Sequence, residues 1–95
     1  MARVIWSPTA LPDLEAILSF VALDSPANAR RLGERMLARV ELIANQPESG
    51  GYVLEDRYER AREVLVGRYR IIYELENECS LIRIITILHG SRLLK

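Results

Sequence analysis

Several residue types that would signal a specific chemistry are scarce in this chain of 95 residues. It has one cysteine, Cys79, one histidine, His89, and one lysine, so it can form no intramolecular disulfide and offers no His/Cys spacing typical of a metal site. A glycine-rich phosphate loop and a Ser/His/Asp order are also missing. The sequence therefore predicts neither a bound metal nor a cofactor.

Long apolar runs are missing as well. The first residues, MARVIWSPTALPD, lack the apolar core of a signal peptide, and no run approaches the ~20 residues of a membrane-spanning helix. An unpaired cysteine fits a reducing compartment. Cys79 is placed at the start of a strand, where we expect a small buried or edge residue and not a nucleophile. Together these features predict a cytoplasmic protein.

An excess of charge of either sign is the third absence. Thirteen basic residues balance thirteen acidic ones, so no overall field draws the chain to nucleic acid or to a membrane. Twelve of the thirteen basic residues are arginine, which favours bidentate contacts with carboxylates and phosphates. This bias indicates paired or partner-facing charges, although a GC-rich genome would produce the same bias.

What the chain does contain is a C-terminal half dominated by β-branched and aromatic residues. Three runs separated by breaks of hairpin length lie within residues 62–92: Val64–Val66, Tyr69–Leu75 and Leu81–Leu88. The pattern predicts an antiparallel meander whose last strand, almost wholly apolar, is covered on both faces. Tyr69 and Tyr73 share one face of the middle strand, where we expect them to be sheet core and not platforms for base stacking.

The N-terminal half predicts a strand followed by two helices. Arg3–Trp6 is a short β-type run, and Ser7–Pro8 has the residues of a helix N-cap and first helical position. Pro12 would interrupt a helix that begins at Pro8, so we expect a kink or a late start near Pro12. Apolar residues at helical spacing form one face of this helix: Leu14, Ile17, Leu18 and Val21.

Ser25–Pro26 restarts the pattern and predicts a second helix, which Pro47 ends. Its apolar stripe is Ala29, Leu32, Met36, Val40 and Ile43, widened by Leu37 and Ala44. Glu34 stands at near-neighbour spacing from several arginines of this helix, which predicts a partly self-paired solvent face. Two helices joined by so short a break pack as an antiparallel hairpin.

The order of these elements predicts an α+β fold of two layers in one domain. An N-terminal strand and a helical hairpin pack on a small antiparallel sheet in the order β-α-α-β-β-β. Residues 52–60 carry the weakest pattern, with a possible short strand at Tyr52–Leu54 before a charged loop.

An ordered series of short motifs spans the chain from Val4 to Arg92. W-S-P-x-A lies near the start, D-L-x-x-I in the first helix, D-S-P-x-x-A at the helix break and N-Q-P-x-S-G after the second helix. R-E-V-L-V-x-x-Y-R-I-I-Y-E-L and the closing L-H-G-S-R follow in the strands. Together these motifs resemble the RelE/ParE superfamily of toxins, and within it the ParE branch. Pro12 departs from the helical residue usual at its position.

This resemblance implies the toxin of a type II toxin–antitoxin pair. ParE-like toxins poison DNA gyrase by holding it with its DNA cut, whereas the RelE branch cleaves mRNA in the ribosomal A site. The resemblance favours the gyrase poison, and a ribosome-dependent mRNA endoribonuclease of the RelE type is the alternative. A third hypothesis is a decayed or purely regulatory member that binds its antitoxin and helps the pair to repress its own operon.

Ribonuclease chemistry requires a base, an acid and cations that hold the phosphate. The catalytic candidates are Arg62, which matches the family arginine at the start of a strand, together with Arg83 and His89. Residues 83, 85, 87 and 89 share parity, so we expect Arg83 and His89 on one open sheet face, joined there by Arg70 and Arg92.

Other features of the sequence oppose that chemistry. Lysine is nearly absent, the net charge is zero, and the six residues after His89 hold no tyrosine of the kind that RelE-like enzymes carry there. A histidine followed by Gly90 at a strand end also favours a structural role, in which the ring stacks on a neighbour and the glycine turns the chain.

Partner binding is the other role for the arginines. An acidic or amphipathic C-terminal segment of a cognate antitoxin could lie across the open sheet face and the helix-hairpin groove, by groove docking or strand addition. We therefore predict a toxin–antitoxin hetero-oligomer, DNA gyrase (or, in the alternative, the ribosome and mRNA) as target, and no membrane partner. The candidate contacts for antitoxin or target are Arg62, Arg68, Arg70, Arg83 and Arg92.

Overall fold

Within residues 1–57 and 60–94, which the structure describes, two α-helices pack on one face of a five-stranded sheet. The structure is a computed structural model. In chain order the elements are β1 (Arg3–Trp6), α1 (Ala10–Asp24), α2 (Pro26–Asn45), a 3-10 turn (Pro47–Ser49), β2 (Gly51–Tyr52), β3 (Ala61–Val66), β4 (Tyr69–Glu76) and β5 (Leu81–His89). The predicted α+β fold of two layers is confirmed.

The sheet has the strand order β1-β5-β4-β3-β2 and is mixed. β3, β4 and β5 form the predicted antiparallel meander, and the two-residue β2 adds to the outer edge of β3. β1 pairs parallel with β5, with Arg3 opposite Leu81, so the prediction of a wholly antiparallel sheet is wrong. Since both helices and three strands separate β1 from β5 in the chain, no hairpin turn forces these two strands to run in opposite directions.

A β-bulge interrupts the pairing of β4 with β5. Ile72 lies opposite Thr86 while Tyr73 lies opposite Ile84, which leaves Ile85 as the extra residue. The bulge inverts the side-chain alternation, so that Ile85 packs on the open face and Ile87 in the core under the helices. The predicted common face of residues 83, 85, 87 and 89 is therefore wrong.

α1 begins at Ala10, later than Pro8, as the position of Pro12 required. Thr9 is the residue before the helix and makes no side-chain cap, while Ser7 Oγ accepts a hydrogen bond from the Ala10 N–H at 3.1 Å. The predicted N-cap at Ser7 is thus wrong by two residues. Pro12 lies in the first turn, where backbone N–H groups have no partner within the helix, and so it costs no helical hydrogen bond.

α2 begins as predicted. Ser25 Oγ accepts a hydrogen bond from the Asn28 N–H at 3.1 Å, and Pro26 occupies the first turn. Most of the predicted stripe is buried, but Leu37 is exposed because it lies about 100° around the helix from the buried Met36.

Among the described residues, no helix has the length and hydropathy needed to cross a membrane.

The core has two parts, one on each face of the sheet. The larger part lies under the helices and joins Leu14, Met36 and Ile43 to residues of all three long strands. The smaller part is on the open face and is formed by Val53, Ala61 and Ile72, with further partly buried apolar residues against it: Ile85, Leu88 and Leu94. β4 and β5 are therefore covered on both faces, which explains the almost continuous apolar run of β5.

The turn between β4 and β5 has left-handed backbone at three successive residues. Asn77, Glu78 and Cys79 have φ values of 51°, 54° and 69°, a conformation that side chains other than glycine rarely adopt. Ser80 Oγ donates to the Asn77 carbonyl at 2.7 Å and closes the turn. Cys79 is half-buried in this turn and precedes the strand by two residues, so its predicted place at the strand start is wrong.

Tyr73 fastens the 3-10 turn to the centre of the sheet. Its side chain is fully buried, and its hydroxyl donates to the Pro47 carbonyl at 2.8 Å and accepts from the Gly50 N–H at 2.9 Å. A Cβ atom at Gly50 would lie 2.5 Å from that hydroxyl, so the contact requires glycine at this position. The prediction that Tyr73 is a core residue is confirmed.

We expect Tyr73→Phe to lower the free energy of unfolding by about 1–3 kcal/mol, because the buried Gly50 N–H and Pro47 carbonyl lose their partner. Tyr52→Phe is the matched control, since the Tyr52 hydroxyl makes an exposed contact with Arg62 Nη2 at 3.2 Å. Its effect should stay below about 0.5 kcal/mol. Equilibrium urea unfolding of both variants measures the difference, and equal losses would contradict this account.

Candidate functional site

Arg70, on the open face of β4, is the one buried charged side chain in the described part of the chain, with 6% of its surface exposed. Its guanidinium donates to both carboxylate oxygens of Glu55 at 2.9 Å and to Oε2 of Glu63 at 2.6 and 3.0 Å. Nη1 also donates to the backbone carbonyl of Arg92 at 2.6 Å. The Arg70 guanidinium is therefore already bound by groups of the chain itself. Any partner predicted to contact Arg70 would meet a guanidinium that is bound in this way.

The C-terminal segment 91–94 crosses the open face and joins the hydrogen-bond network of Arg70. The Leu94 N–H donates to Glu55 Oε2 at 2.9 Å, and the Leu94 side chain packs against the small open-face core. Hydrogen bonds from Arg70, and then from the Leu94 N–H, lower the pKa of Glu55 to about 2. The hydrogen bond to Glu55 likewise raises the pKa of Arg70, so both groups stay charged.

Arg62 and Arg83 line one polar cleft of about 600 Å³ at the other end of the sheet. Arg62 donates to the carbonyls of Glu48 at 3.2 Å and Gly50 at 2.8 Å, and its guanidinium carbon lies 4.4 Å from the centroid of the Tyr52 ring. This stacking and the two carbonyls hold Arg62 against the 3-10 turn.

Arg83 is held in the same cleft by a carboxylate. Its Nε donates to Glu76 Oε2 at 2.7 Å, and this hydrogen bond raises the pKa of Arg83. Sequence reasoning missed the other residues that line the cleft, which are Tyr52, Arg60, Glu74, Leu75 and Glu76. Only the strand register reveals them, because it places Tyr52 opposite Arg62 and Glu74 opposite Arg83.

His89 lies far from this cleft, at the opposite end of β5. It lies six positions along the strand from Arg83, a distance of roughly 20 Å. Its Nδ1 accepts from the Ser91 N–H at 3.2 Å, and its ring meets the Tyr69 ring edge-on, with centroids 5.6 Å apart. Gly90 follows, and its N–H donates to the Arg68 carbonyl at 2.7 Å. The predicted structural arrangement, in which the His89 ring stacks on or bonds to a neighbour and Gly90 turns the chain, is therefore present.

His89 and Arg92 line a second, less polar cleft of about 340 Å³ between α1 and β5. Asp13, Ile17 and Phe20 form its helical wall, and Asp13 accepts a hydrogen bond from Thr86 Oγ1 at 2.6 Å. We call this the α1–β5 cleft. The structure therefore brings Arg62 and Arg83 together, as the ribonuclease hypothesis requires, but places His89 and Arg92 at a separate surface.

Arg68 lies exposed in the two-residue turn between β3 and β4. It borders a wide, open depression of about 690 Å³ on the open sheet face, above Arg70. Exposed leucines form the rim of this depression: Leu54, Leu65 and Leu93. Within residues 1–57 and 60–94, no three His, Cys, Asp or Glu side chains are grouped so that they could hold a metal ion.

Comparisons with known proteins match almost the entire chain. A family model described as the ParE toxin of the type II toxin–antitoxin system parDE matches residues 4–94. Toxin RelE2 of Caulobacter vibrioides is 33% identical over 93 residues, which cover 98% of this chain and 100% of that protein.

Two solved structures are similar in fold. The chromosomal ParDE toxin–antitoxin system of P. aeruginosa matches with a TM-score of 0.73 and 22% identity, over 94% of this chain and 96% of that one. The toxin–antitoxin complex RelBE2 of Mycobacterium tuberculosis matches with a TM-score of 0.62 and 19% identity, over 93% and 96% of the two chains. At these identities the similarity shows the fold alone.

The Arg70 network predicts a specific dependence of stability on pH. Because the pKa of Glu55 is lower in the folded chain than its ordinary value of 4.5, the folded state holds fewer protons there, and stability falls as the pH drops from 4.5 to about 2. We expect Glu55→Gln to flatten this part of the profile, measured by urea unfolding at each pH. Glu48→Gln, at an exposed carboxylate 3.9 Å from Arg62, should keep the wild-type slope. An unchanged slope in Glu55→Gln would contradict the assignment.

Proposed function

Because this chain belongs to the ParE toxin family of type II toxin–antitoxin systems, we propose that it poisons DNA gyrase by binding and that a cognate antitoxin neutralises it. The family match supports the gyrase target, since the ParE branch is the gyrase-poisoning branch of the superfamily. The antitoxin partner is supported by the two structural neighbours, both of which are described as toxin–antitoxin systems or complexes.

The separation of His89 from Arg62 and Arg83 is the observation that favours binding over hydrolysis. A nuclease needs a base within hydrogen-bond reach of the attacking hydroxyl, and in this chain roughly 20 Å of strand separate His89 from Arg83. The two arginines are also held by groups of the chain itself, and the carboxylates of Glu74 and Glu76 line their cleft. These carboxylates would repel a phosphate that approached Arg83.

Exposed apolar side chains on α1 supply a surface suited to a protein target. Phe20 and Leu23 are 71% and 82% exposed, although phenylalanine and leucine usually lie in the core. Phe20 forms one wall of the α1–β5 cleft, opposite His89 and Arg92. An aromatic anchor beside a cation is a common centre of protein–protein contacts, so we propose that this cleft contacts gyrase.

A ribosome-dependent endoribonuclease remains the second candidate function, and one observation favours it. Arg62 and Arg83 line a single cleft together with Arg60 and Tyr52, so three guanidiniums and one phenol surround the same space. In such a site the arginines would hold the phosphate and the Tyr52 hydroxyl, which already accepts a hydrogen bond from Arg62, would transfer the proton.

The direct test incubates toxin freed from its antitoxin with gyrase, ATP and supercoiled plasmid. We expect linear DNA to accumulate after detergent and protease treatment, because a poisoned gyrase stays covalently attached to its cut DNA. The double variant Arg62→Ala/Arg83→Ala should trap as much DNA as the wild type. The proposal would be overturned in favour of the second candidate if the wild type trapped no DNA but cleaved mRNA on translating ribosomes, and the double variant lost that cleavage.

We expect Phe20→Ser to reduce the trapped DNA roughly 10-fold or more at equal toxin concentration, because it removes the apolar anchor of the proposed contact. The variant should keep its thermal unfolding temperature, since Phe20 is mostly exposed. Leu54→Ser is the matched control, at a leucine that is 98% exposed but lies in the loop after β2. Equal activity of the two variants would remove the α1–β5 cleft from the proposed interface.

A further inference from the structure

The C-terminal segment 91–94 is held at two backbone positions by one ion pair. Arg70 Nη1 donates to the Arg92 carbonyl at 2.6 Å, and Glu55 Oε2 accepts from the Leu94 N–H at 2.9 Å. The same two side-chain atoms are also bonded to each other, since Nη1 donates to Oε2 at 2.9 Å. Each member of the ion pair therefore holds one residue of the segment, and the three hydrogen bonds support one another.

Glu63 is the other carboxylate bound to Arg70, and it does not hold the segment. Its Oε2 accepts from Nε and Nη2 of Arg70, whereas Nη1 is the atom bonded to the Arg92 carbonyl. The side chains of Glu55 and Glu63 are similarly accessible, at 20% and 25% exposed. The two carboxylates thus share Arg70 and differ in whether they also bind the C-terminal segment.

The turn after β5 fixes Arg92 from the other side. The Arg92 N–H donates to the His89 carbonyl at 2.9 Å, so both backbone groups of Arg92 are bonded. With the backbone fixed, only rotations of the side chain remain to Arg92, and that side chain lines the α1–β5 cleft with Phe20 and His89. The ion pair on the open face therefore determines where the Arg92 side chain enters this cleft.

The Arg92 guanidinium is available to a partner. Arg92 is exposed, and no carboxylate of the described residues lies within 4.0 Å of it. Asp13 lines the same cleft but accepts its hydrogen bond from Thr86. Arg92 resembles the arginines of α2 in this respect, because the pairing predicted for them with Glu34 does not form as an ion pair.

We propose that Glu55 is a positioning residue for the gyrase contact, which with Arg70 holds the backbone of segment 91–94 and so directs the Arg92 guanidinium toward an acidic group of gyrase. This inference rests on the proposed function, which makes the α1–β5 cleft the contact surface. Glu55 borders the depression on the open sheet face and does not line that cleft, so it acts through Arg92. A side chain whose backbone is already fixed loses less conformational freedom on binding, and its charge meets the acidic group in a defined position.

Trapping of DNA on gyrase tests this with two matched variants, Glu55→Ala and Glu63→Ala. Each removes one carboxylate from Arg70, so both should lower the temperature of thermal unfolding. Only Glu55→Ala releases the segment. It should raise the toxin concentration needed for half-maximal trapping roughly 5- to 10-fold, whereas Glu63→Ala should raise it less than about 2-fold. The Leu94 amide should exchange its hydrogen roughly 10-fold faster in Glu55→Ala alone.

A double-mutant cycle with Arg92→Ala separates positioning from a general loss of stability. Arg92→Ala should by itself raise the half-maximal concentration roughly 10-fold, because it removes the guanidinium of the contact. Since Glu55 acts through Arg92, adding Glu55→Ala to Arg92→Ala should change that concentration by less than about 2-fold. A merely structural role of Glu55 would reduce trapping by the same factor in both backgrounds, and that result would overturn the inference.

Leu94→Pro provides the same test if Glu55→Ala does not fold. It removes the N–H that donates to Glu55 and leaves the ion pair of Glu55 with Arg70 in place. Leu94→Ala is its control, because it shortens the same side chain but keeps the N–H. Leu94→Pro should require roughly 5-fold more toxin than Leu94→Ala for equal trapping, and should lose this difference in the Arg92→Ala background.

The outcomes distinguish this inference from the proposed function. Equal trapping by Glu55→Ala and Glu63→Ala, with equal trapping by the two Leu94 variants, overturns the positioning role. Full activity of Arg92→Ala overturns it as well. In each of these cases trapping by the wild type leaves the proposed function intact. A wild-type chain that traps no DNA on gyrase overturns the proposed function and this inference together.

Discussion

The open face of the sheet depends on the ion network of Arg70. A buried guanidinium is costly unless its donors are all satisfied, and here two carboxylates and a backbone carbonyl satisfy them. These partners belong to the loop after β2, to β3 and to the C-terminal segment, so one side chain of β4 connects three otherwise separate parts. Removal of any one partner leaves a donor of the buried guanidinium without an acceptor, so the shape of this face depends on all three parts together.

Local chemistry made parts of the fold predictable from the sequence. The Ser25–Pro26 cap, the helical stripe around Met36 and the meander are each encoded by residues close together in the chain. The parallel pairing of β1 was not predictable because it joins residues far apart in the chain, and the bulge at Ile85 was not predictable because it depends on the register between β4 and β5. The bulge also changed the candidate site. Its one extra residue moved Ile87 to the helix side, so Arg83 and His89 do not share the open face expected for them.

The arginines fall into two groups that composition could not distinguish. Arg62, Arg70 and Arg83 have carboxylate partners within 4.0 Å, whereas Arg35, Arg39 and Arg68 have none among the described residues. The first group shapes the protein, and the second leaves positive charge at one edge of a neutral molecule. Which arginine belongs to which group depends on strand register and on the packing of α2, so sequence alone could list the candidates but could not separate them.

The parallel pair of β1 and β5 bears on how the protein is made. β1 leaves the ribosome well before the strand with which it pairs, which ends at His89, and Ser7 donates to the carbonyl of Ile85 in that same strand. Until β5 emerges, the helical hairpin has no complete sheet to cover, and the nascent chain exposes its apolar stripe. Folding is therefore postponed until β5 has been synthesised, and a product truncated before β5 lacks the strand that joins β1 to the rest of the sheet.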